Sequence, residues 1–322
     1  MPCKLTYTIF MPELPEVETT VRNLTKSLSG RRILALWTDY KSAFYAGKDN
    51  IKNPKYLEKF HAAVVGKKIL GARRRAKHVI VDLEGGISML IHMKMTGHFL
   101  YGNFVRSKNG IWKAEGNKND AALNDPFNRH VRLVFDLDNG KHIAFSDMRR
   151  FATLTLADTK AATQDEHPSL SGLGLEPFDA RLTPTHLKAQ LAHKKRTPIK
   201  QALLDQRVIA GIGNIYGDEI LWHANIHPET AASTLTMAEI GSIIRHTRKV
   251  LAFSISLGGD SMSDFRNIHG ERGGFQSHHK AYRQTGKRCA KRGCSGTIQR
   301  TVIGARSAHF CDRHQKKVAR SK

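Results

Sequence analysis

Acidic residues are scarce in this chain of 322 residues: 28 Asp and Glu stand against 52 Lys and Arg, a formal net charge of +24. That imbalance excludes a charge-neutral surface. It points to a polyanionic partner, most simply nucleic acid; the competing readings are a basic protein with a merely solvated surface and one bound to acidic membranes. Long hydrophobic runs are missing as well, and no apolar stretch approaches the roughly 20 residues of a membrane span. The opening Met1–Phe10 is too short for a secretory signal, so a cytoplasmic location is the default expectation. Cysteine is nearly absent. Of Cys3, Cys289, Cys294 and Cys311, three sit in the strongly basic C-terminal end, which argues against a disulfide framework and for a metal site. Internal repeats and low-complexity tracts are lacking, which excludes a repeat array.

What is present supports a substantial core. Hydrophobic residues make up 40% of the chain, and the length suggests two domains or three. Glu16–Ser29 predicts a helix with Val17, Val21, Leu24 and Leu28 on one face, stopped at Gly30. His78–Leu83, a Glu84-Gly85-Gly86 turn and Ile87–Met95 predict one hairpin. Val131–Leu137, Asp138-Asn139-Gly140 and His142–Phe145 predict another. Gly102–Asn124 is polar and aperiodic and reads as an inserted loop. After an Ala/Gly/Asp/Pro-rich stretch the pattern turns helical. Thr183-Pro184 and Thr197-Pro198 each suggest an N-cap followed by proline, and Thr236 with Glu239 suggests a capping box ahead of a helix ending near Gly258-Gly259. The predicted organisation is an N-terminal extension over 1–10, a β-rich domain over 11–157, a linker over 158–180, a helical domain over 181–278 and a cysteine-containing basic end over 279–322.

In that last segment Cys289-x4-Cys294 is followed, after sixteen residues, by Cys311-x2-His314. Three thiolates and one imidazole suit a closed tetrahedral zinc site of the structural kind, with no position open to water. The competing reading is unligated thiols beside an incidental histidine. Gly293, Gly296 and Gly304 suit a small two-stranded finger, whose Arg300, Arg306 and Arg313 would face phosphate.

The N-terminal run Met11-Pro12-Glu13-Leu14-Pro15-Glu16-Val17-Glu18 has two readings. It can be an ordinary helix start, since Pro15 and Glu16 suit a first turn. Alternatively, a chain beginning at Pro12 would carry a free secondary amine beside the Glu13 carboxylate. An α-amino group titrates near 8, so much of it is an unprotonated nucleophile at neutral pH, able to attack a sugar C1′ and form an iminium.

Six motifs in order tie these readings together: the Pro12-Glu13 start; Arg74-Arg75-Ala76-Lys77; His92-x-x-Met95-x-Gly97; Asp147-x-Arg149-Arg150-Phe151; Gly211-x-Gly213-Asn214-Ile215-Tyr216; and the finger. With them the chain, from Met11 to His314, resembles the formamidopyrimidine-DNA glycosylase family, bacterial enzymes that excise oxidised purines. The resemblance implies an α+β multidomain fold: a two-layer β-sandwich, a helix–two-turn–helix domain matched by Thr197–Asn225, and a C-terminal β-hairpin zinc finger, with duplex DNA between the first two. It implies Pro12 as nucleophile, Glu13 as general acid/base with Glu16 in support, and Lys77 and Arg306 at the two elimination steps. Met95, Arg149 and Phe151 would fill the gap left by the extruded nucleotide. Arg196, Lys200 and Asn214 would contact phosphate, Glu219 would lie near the lesion pocket or cap a helix, and the glycine-rich Arg266–Gln276 loop would be a mobile lesion-recognition loop. One structural zinc ion, double-stranded DNA as partner, a monomeric state and association with the nucleoid complete what it implies.

The chain also departs from that pattern. Ten residues precede Met11, which suggests a misassigned start. If they remain, the Pro12 nitrogen is an amide and has no nucleophilicity. The finger is Cys-x4-Cys…Cys-x2-His in place of four cysteines at x2 spacing. Asn128 stands where a DNA-contacting histidine is usual, with His130 nearby, and Ala152 replaces a glycine. Two alternatives stay open: an endonuclease VIII-like glycosylase for oxidised pyrimidines, and a non-catalytic DNA-binding protein on the same scaffold.

Overall fold

The computed structural model describes residues 11–115, 118–262 and 264–317; the expectations placed on residues 1–10, including Cys3, and on the last five residues of the basic tail lie outside the described residues. The chain divides into two compact units. One holds Met11 and Pro12 with Glu16–His167 and Gly258–Gly273, and the other holds Glu13–Pro15, Pro168–Leu257 and the residues from Gly274 onward.

The first unit is a β-sandwich edged by helices. Helix α1 (Leu14–Leu28) begins two residues ahead of its predicted start and is followed by β1 (Ile33–Thr38), α2 (Pro54–Val64), β2 (Ile69–Arg75), β3 (His78–Leu83), β4 (Ile87–His92) and β5 (His98–Gly102). Then come β6 (Phe104–Arg106), β7 (Trp112–Ala114), β8 (Val131–Leu137), β9 (His142–Ser146), β10 (Thr153–Asp158) and the short helix α3 (Thr159–Thr163). Two antiparallel four-stranded sheets form, in the orders β1-β8-β9-β5 and β10-β4-β3-β2. Strand alternation explains the core. Val79, Val81, Met89 and Ile91 from one sheet and Leu133, Phe135, Ile143 and Phe145 from the other are buried together, and the Val17, Val21, Leu24 and Leu28 stripe of α1 packs on them. The Gly102–Asn124 segment is not a loop. It carries the β6–β7 hairpin and a 3-10 helix over Lys118–Asn124, held by Phe104 and Leu123 in a small core of their own and by Trp112 against Trp37 at 5.9 Å between ring centroids.

Gly258–Gly273 returns to this unit through specific bonds. The Asp260 amide donates to Glu16 Oε1 at 2.7 Å, and the Tyr101 amide donates to the Ile268 carbonyl at 2.6 Å. Arg266, 2% exposed, pairs with Asp125 at 3.0 Å. A side chain on Gly270 would run into the Ala122 carbonyl. Composition suggested a mobile loop here; its described part is pinned because these backbone groups and the Arg266 charge find fixed partners.

The second unit contains α4 (Pro184–Ala192), α5 (Ile199–Leu204), α6 (Asn214–Ala224), α7 (Met237–Ser256) and the hairpin β11 (Ile298–Ile303)–β12 (Arg306–Cys311). Thr183 caps α4 as expected, and Thr236 with Glu239 forms a complete capping box on α7. The cap at α5 differs from the reading: Pro198, not Thr197, holds that position, with no side-chain bond, because the proline ring already fixes the backbone turn there. The hairpin packs on α6 through Trp222, Ala281, Ile298 and the cysteines.

Candidate functional site

Glu13 sits on the start of α6. Its Oε2 accepts from the Gly213 amide at 2.7 Å and its Oε1 from the Ile215 amide at 2.9 Å, with Tyr216 N at 3.4 Å from Oε2. A carboxylate placed on the unsatisfied N–H groups at a helix start also gains from the helix dipole. The two glycines of Gly211-x-Gly213 make this possible. Gly211 takes φ +91°, and a Cβ there would fall 2.7 Å from Leu14 Cδ1; one on Gly213 would fall 2.6 Å from Glu13 Oε1. The glycines read from sequence as room for a phosphate are therefore also room for the Glu13-Leu14 segment. Pro12 and Glu13 are both buried, and Glu16 is 2% exposed with its carboxylate on the Asp260 amide.

Around Met95 and Phe151 the first unit forms an open cleft of about 570 Å3, lined by Met11, Tyr40, Lys94, Met95, Arg149 and Phe151 among others. Two loops supply Lys94 and Met95 and Arg149 and Phe151, and Asp147 joins them. This fully buried carboxylate accepts from Thr96 Oγ1 at 2.5 Å, Tyr40 OH at 2.8 Å and the Ala152 amide at 3.0 Å, while Thr96 Oγ1 accepts from the Arg149 amide at 3.1 Å. Burial beside Asp147 pushes the Tyr40 hydroxyl well above its ordinary range, so it stays a donor. Phe151 remains 45% exposed, with the Arg149 guanidinium 4.6 Å from its ring centre.

Four candidate residues share a backbone feature. Lys77, Met95, Phe151 and Arg306 each directly follow a non-glycine residue at positive φ: Ala76 at 51°, Lys94 at 55°, Arg150 at 55° and Ala305 at 60°. Left-handed backbone costs an L-residue roughly 1–2 kcal/mol and persists where the surroundings enforce it. It lets a tight turn set the direction of the next side chain: Phe151 and Arg306 face outward, Met95 is half-buried and Lys77 is buried. No sequence signal marked these positions, since none is Gly or Asn.

Other expected contacts turn inward. Lys200 is 1% exposed; its Nζ pairs with Asp218 Oδ1 at 2.5 Å and donates to the Ser307 carbonyl at 2.7 Å, while His309 Nδ1 lies 2.8 Å from Asp218 Oδ2. Burial lowers Lys200, and Asp218 pulls it back toward the charged form. Lys200 thus holds the start of β12 beside exposed Arg306 in place of meeting phosphate itself. Asn128, 3% exposed, accepts from His98 Nε2 at 2.9 Å through its Oδ1 and donates to the Ala122 carbonyl through its Nδ2, so its amide is committed within the protein; His130 beside it is half-buried. Glu219 accepts from the amides of Lys280, Ala281 and Tyr282 at 2.8–2.9 Å, and burial raises its carboxyl despite them. These amides lie in a turn that starts no helix, so the carboxylate anchors that turn to α6. Arg196 is exposed and Asn214 is half-buried at the first position of α6.

The Cys289, Cys294 and Cys311 sulfurs and one His314 ring nitrogen lie within 4.8 Å of one another, close enough to hold a metal ion. His314 Nδ1 is 3.5 Å from Cys289 Sγ and 3.6 Å from Cys294 Sγ, and its Nε2 is 3.2 Å from the Trp222 carbonyl. That outer bond fixes the ring with Nδ1 toward the sulfurs, the usual arrangement for a ligating imidazole. The donor set fits a tetrahedral thiolate-rich site, and a side chain on Gly296 would strike Cys311 Sγ at 2.5 Å.

The sequence matches the formamidopyrimidine-DNA glycosylase N-terminal domain over residues 11–154 and the H2TH domain of the same enzymes over residues 173–266. The formamidopyrimidine-DNA glycosylase of Cereibacter sphaeroides is 37% identical over 301 residues, 94% of this chain and 98% of that one. The chain belongs to the formamidopyrimidine-DNA glycosylase family. Its relative from Chloroflexus aurantiacus is 36% identical over 307 residues, 94% of this chain and 96% of that protein. Among solved structures, Lactococcus lactis Fpg in complex with DNA containing an abasic site superposes with a TM-score of 0.77 at 27% identity, covering 95% of this chain and all of that one. A Lactococcus lactis Fpg mutant bound to Fapy-dG DNA gives 0.78 at the same identity and coverage. The family fold of β-sandwich, H2TH helices and a C-terminal hairpin with a Cys/His cluster is the one described above. Among the described residues no helix is long and apolar enough to cross a membrane.

Proposed function

We propose that this protein is a DNA glycosylase of base excision repair that removes oxidised purines, 8-oxoguanine and formamidopyrimidines, from duplex DNA and then cleaves the abasic strand. The observation that carries the reading is the Pro12-Glu13 pair, with Glu13 fixed by three amides at the start of α6, in a chain 37% identical to a named glycosylase.

In a chain beginning at Pro12, the amine lone pair attacks C1′ of an extruded nucleotide. The C1′–base bond breaks, the base leaves with that electron pair and takes up a proton, and the amine loses its own. The nitrogen lone pair then opens the sugar: C1′–O4′ breaks, O4′ receives a proton by way of Glu13, and an iminium joins Pro12 to C1′. The iminium acidifies C2′. Loss of a C2′ proton expels the 3′ phosphate, and a second elimination expels the 5′ phosphate. Lys77 and Arg306 serve these steps by holding the departing phosphates, and Glu16 supports the site through the 258–273 segment. Met95, Arg149 and Phe151 fill the vacated stack: methionine adapts to an irregular hole, phenylalanine wedges a base step, and arginine offers donors to the unpaired base. Arg196 and Asn214 contact the backbone directly, whereas Lys200 and Asn128 act by positioning. Cys289, Cys294, Cys311 and His314 hold one zinc ion, which supplies folding energy to the finger and no chemistry at the sugar. The active form is a soluble monomer working on the nucleoid.

The named relatives favour purine over pyrimidine lesions, and a scaffold that only bound DNA would have no use for the Pro12-Glu13 arrangement. Excision rates on duplexes holding 8-oxoguanine opposite cytosine or thymine glycol opposite adenine test the choice. Faster release of 8-oxoguanine is expected. Preference for thymine glycol would assign the sister specificity, and binding without release of either base would leave a non-catalytic homologue.

A further inference from the structure

The second half of α7 has no part in the chemistry above. His246, Lys249, Val250 and Phe253 stand there at i, i+3, i+4 and i+7, the spacing of a single helix face. Together with Glu219 and His223 of α6, and with Phe275, His278 and Lys280 from the turn before the finger, they line a cleft of about 480 Å3. All of these residues belong to the second unit. At 1.5 Å per residue, His223 lies roughly 13 Å along α6 from Asn214, the end that holds Glu13, so this cleft is separate from that site.

Its nitrogens are free of protein partners. Among the described residues, no hydrogen bond or ion pair occupies a side-chain nitrogen of His223, His246, Lys249, His278 or Lys280. Arg248, beside Lys249 in sequence, behaves differently and donates to the carbonyls of Pro177, Asp179 and Leu182. The one carboxylate in the lining, Glu219, has both oxygens on backbone amides.

This combination selects its occupant. Two lysines with no carboxylate available to pair them attract an anion. The His223 and His246 rings, stacked with centres 5.6 Å apart and 17° between planes, would by themselves suit a metal ion. Charge decides against one. Burial holds both imidazoles below their usual range, and nearby Lys249, Lys280 and Lys291 add to the effect; the same charges repel a metal cation. A neutral imidazole carries one donor and one acceptor nitrogen, which matches the mixed polar edge of a nucleobase and not a hydrocarbon. A phosphate alone would make no use of the Phe253 ring, 45% exposed, whereas a base can stack on it. The volume falls within the range of roughly 300–1,000 Å3 for small-ligand sites.

We infer that this cleft binds a nucleoside monophosphate, with the phosphate on Lys249 and Lys280, the base on Phe253 and imidazole nitrogens along the base edge. The site stands apart from the proposed excision chemistry and does not depend on it.

Ligand-observed NMR titrations of the full, zinc-loaded chain with adenosine 5′-monophosphate, adenosine and inorganic phosphate test this, in the wild type, Lys249→Gln and Phe253→Ala. Neither side chain is among the buried residues of α7, so both variants keep the core. One nucleotide per chain is expected, bound about tenfold more tightly than adenosine or phosphate alone. Lys249→Gln should weaken the nucleotide about tenfold and leave adenosine unchanged, and Phe253→Ala should weaken both about tenfold. Phosphate bound as tightly as the nucleotide would make this a plain anion site and overturn the inference. So would no binding, or nucleotide binding that neither variant changes. Nucleotide that an abasic duplex displaces equally from wild type and Lys249→Gln would belong to the DNA-binding site, with the same consequence.

Discussion

Glu13 and Gly213 fit together only because one of them has no side chain: the Glu13 carboxylate takes the Gly213 amide at 2.7 Å, and a Cβ on Gly213 would stand 2.6 Å from Glu13 Oε1. Gly213→Ala therefore expels the carboxylate from the start of α6. The expected result is a loss of about 1–3 kcal/mol in denaturant unfolding and a fall in base excision. Glu13→Gln keeps the shape but replaces one acceptor oxygen by an NH2 group facing an amide. It is expected to slow excision by about 10²–10⁴-fold in single-turnover assays while duplex binding persists.

Thr96 links the two loops that carry the proposed wedge, donating to Asp147 and accepting from the Arg149 amide. Thr96→Val keeps the volume and removes both bonds. It should cost about 1–3 kcal/mol of stability and weaken binding to a duplex with an abasic site more than to an undamaged one. Equal weakening on both duplexes would mean that Asp147 serves the fold alone.

Elemental analysis of the purified protein should give one zinc per chain. Chelation, or His314→Ala, should release it, raise the protease sensitivity of residues 279–317, and lower DNA affinity with a shallower salt dependence as Arg300, Arg306 and Arg313 are lost from the interface. Metal-free protein with an intact finger would contradict the site.

His78 is pushed down to about 4 from its usual 6.5, first by burial and then by the nearby Lys94. Between those values the unfolded chain binds a proton that the folded chain refuses, so stability falls as pH drops from 6.5 toward 4 and this contribution levels off below that. Unfolding midpoints taken from pH 7 to 4 should show this loss, and His78→Gln should make it smaller, with His92 and His223, held low by the same burial, keeping the rest.

The sequence carried the elements whose signals are local. Period-2 alternation and Asn139-Gly140 gave the β8–β9 hairpin, Thr236 and Glu239 gave the start of α7, and four sulfur and nitrogen ligands in two clusters gave the finger. The 102–124 segment was misread because its hairpin is short and polar, and its stability comes from Trp112 meeting Trp37, far away in sequence. Thr197 was misread because the proline beside it took the cap. The role of Gly211 and Gly213, the inward turn of Lys200 toward Asp218, and the joining of two loops by Asp147 are all contacts across large sequence distances, which periodicity and spacing cannot carry. Chemistry and resemblance named the candidate residues, while the structure separated those that face outward, such as Arg306 and Phe151, from those that turn inward, such as Lys200 and Asn128.

Borohydride trapping on a duplex with one 8-oxoguanine opposite cytosine tests the central claim most directly, using protein whose chain begins at Pro12. The account predicts a covalent protein–DNA adduct that disappears with Pro12→Gly and when residues 1–11 are retained. A zinc-loaded protein beginning at Pro12 that binds this duplex yet yields no adduct would contradict it.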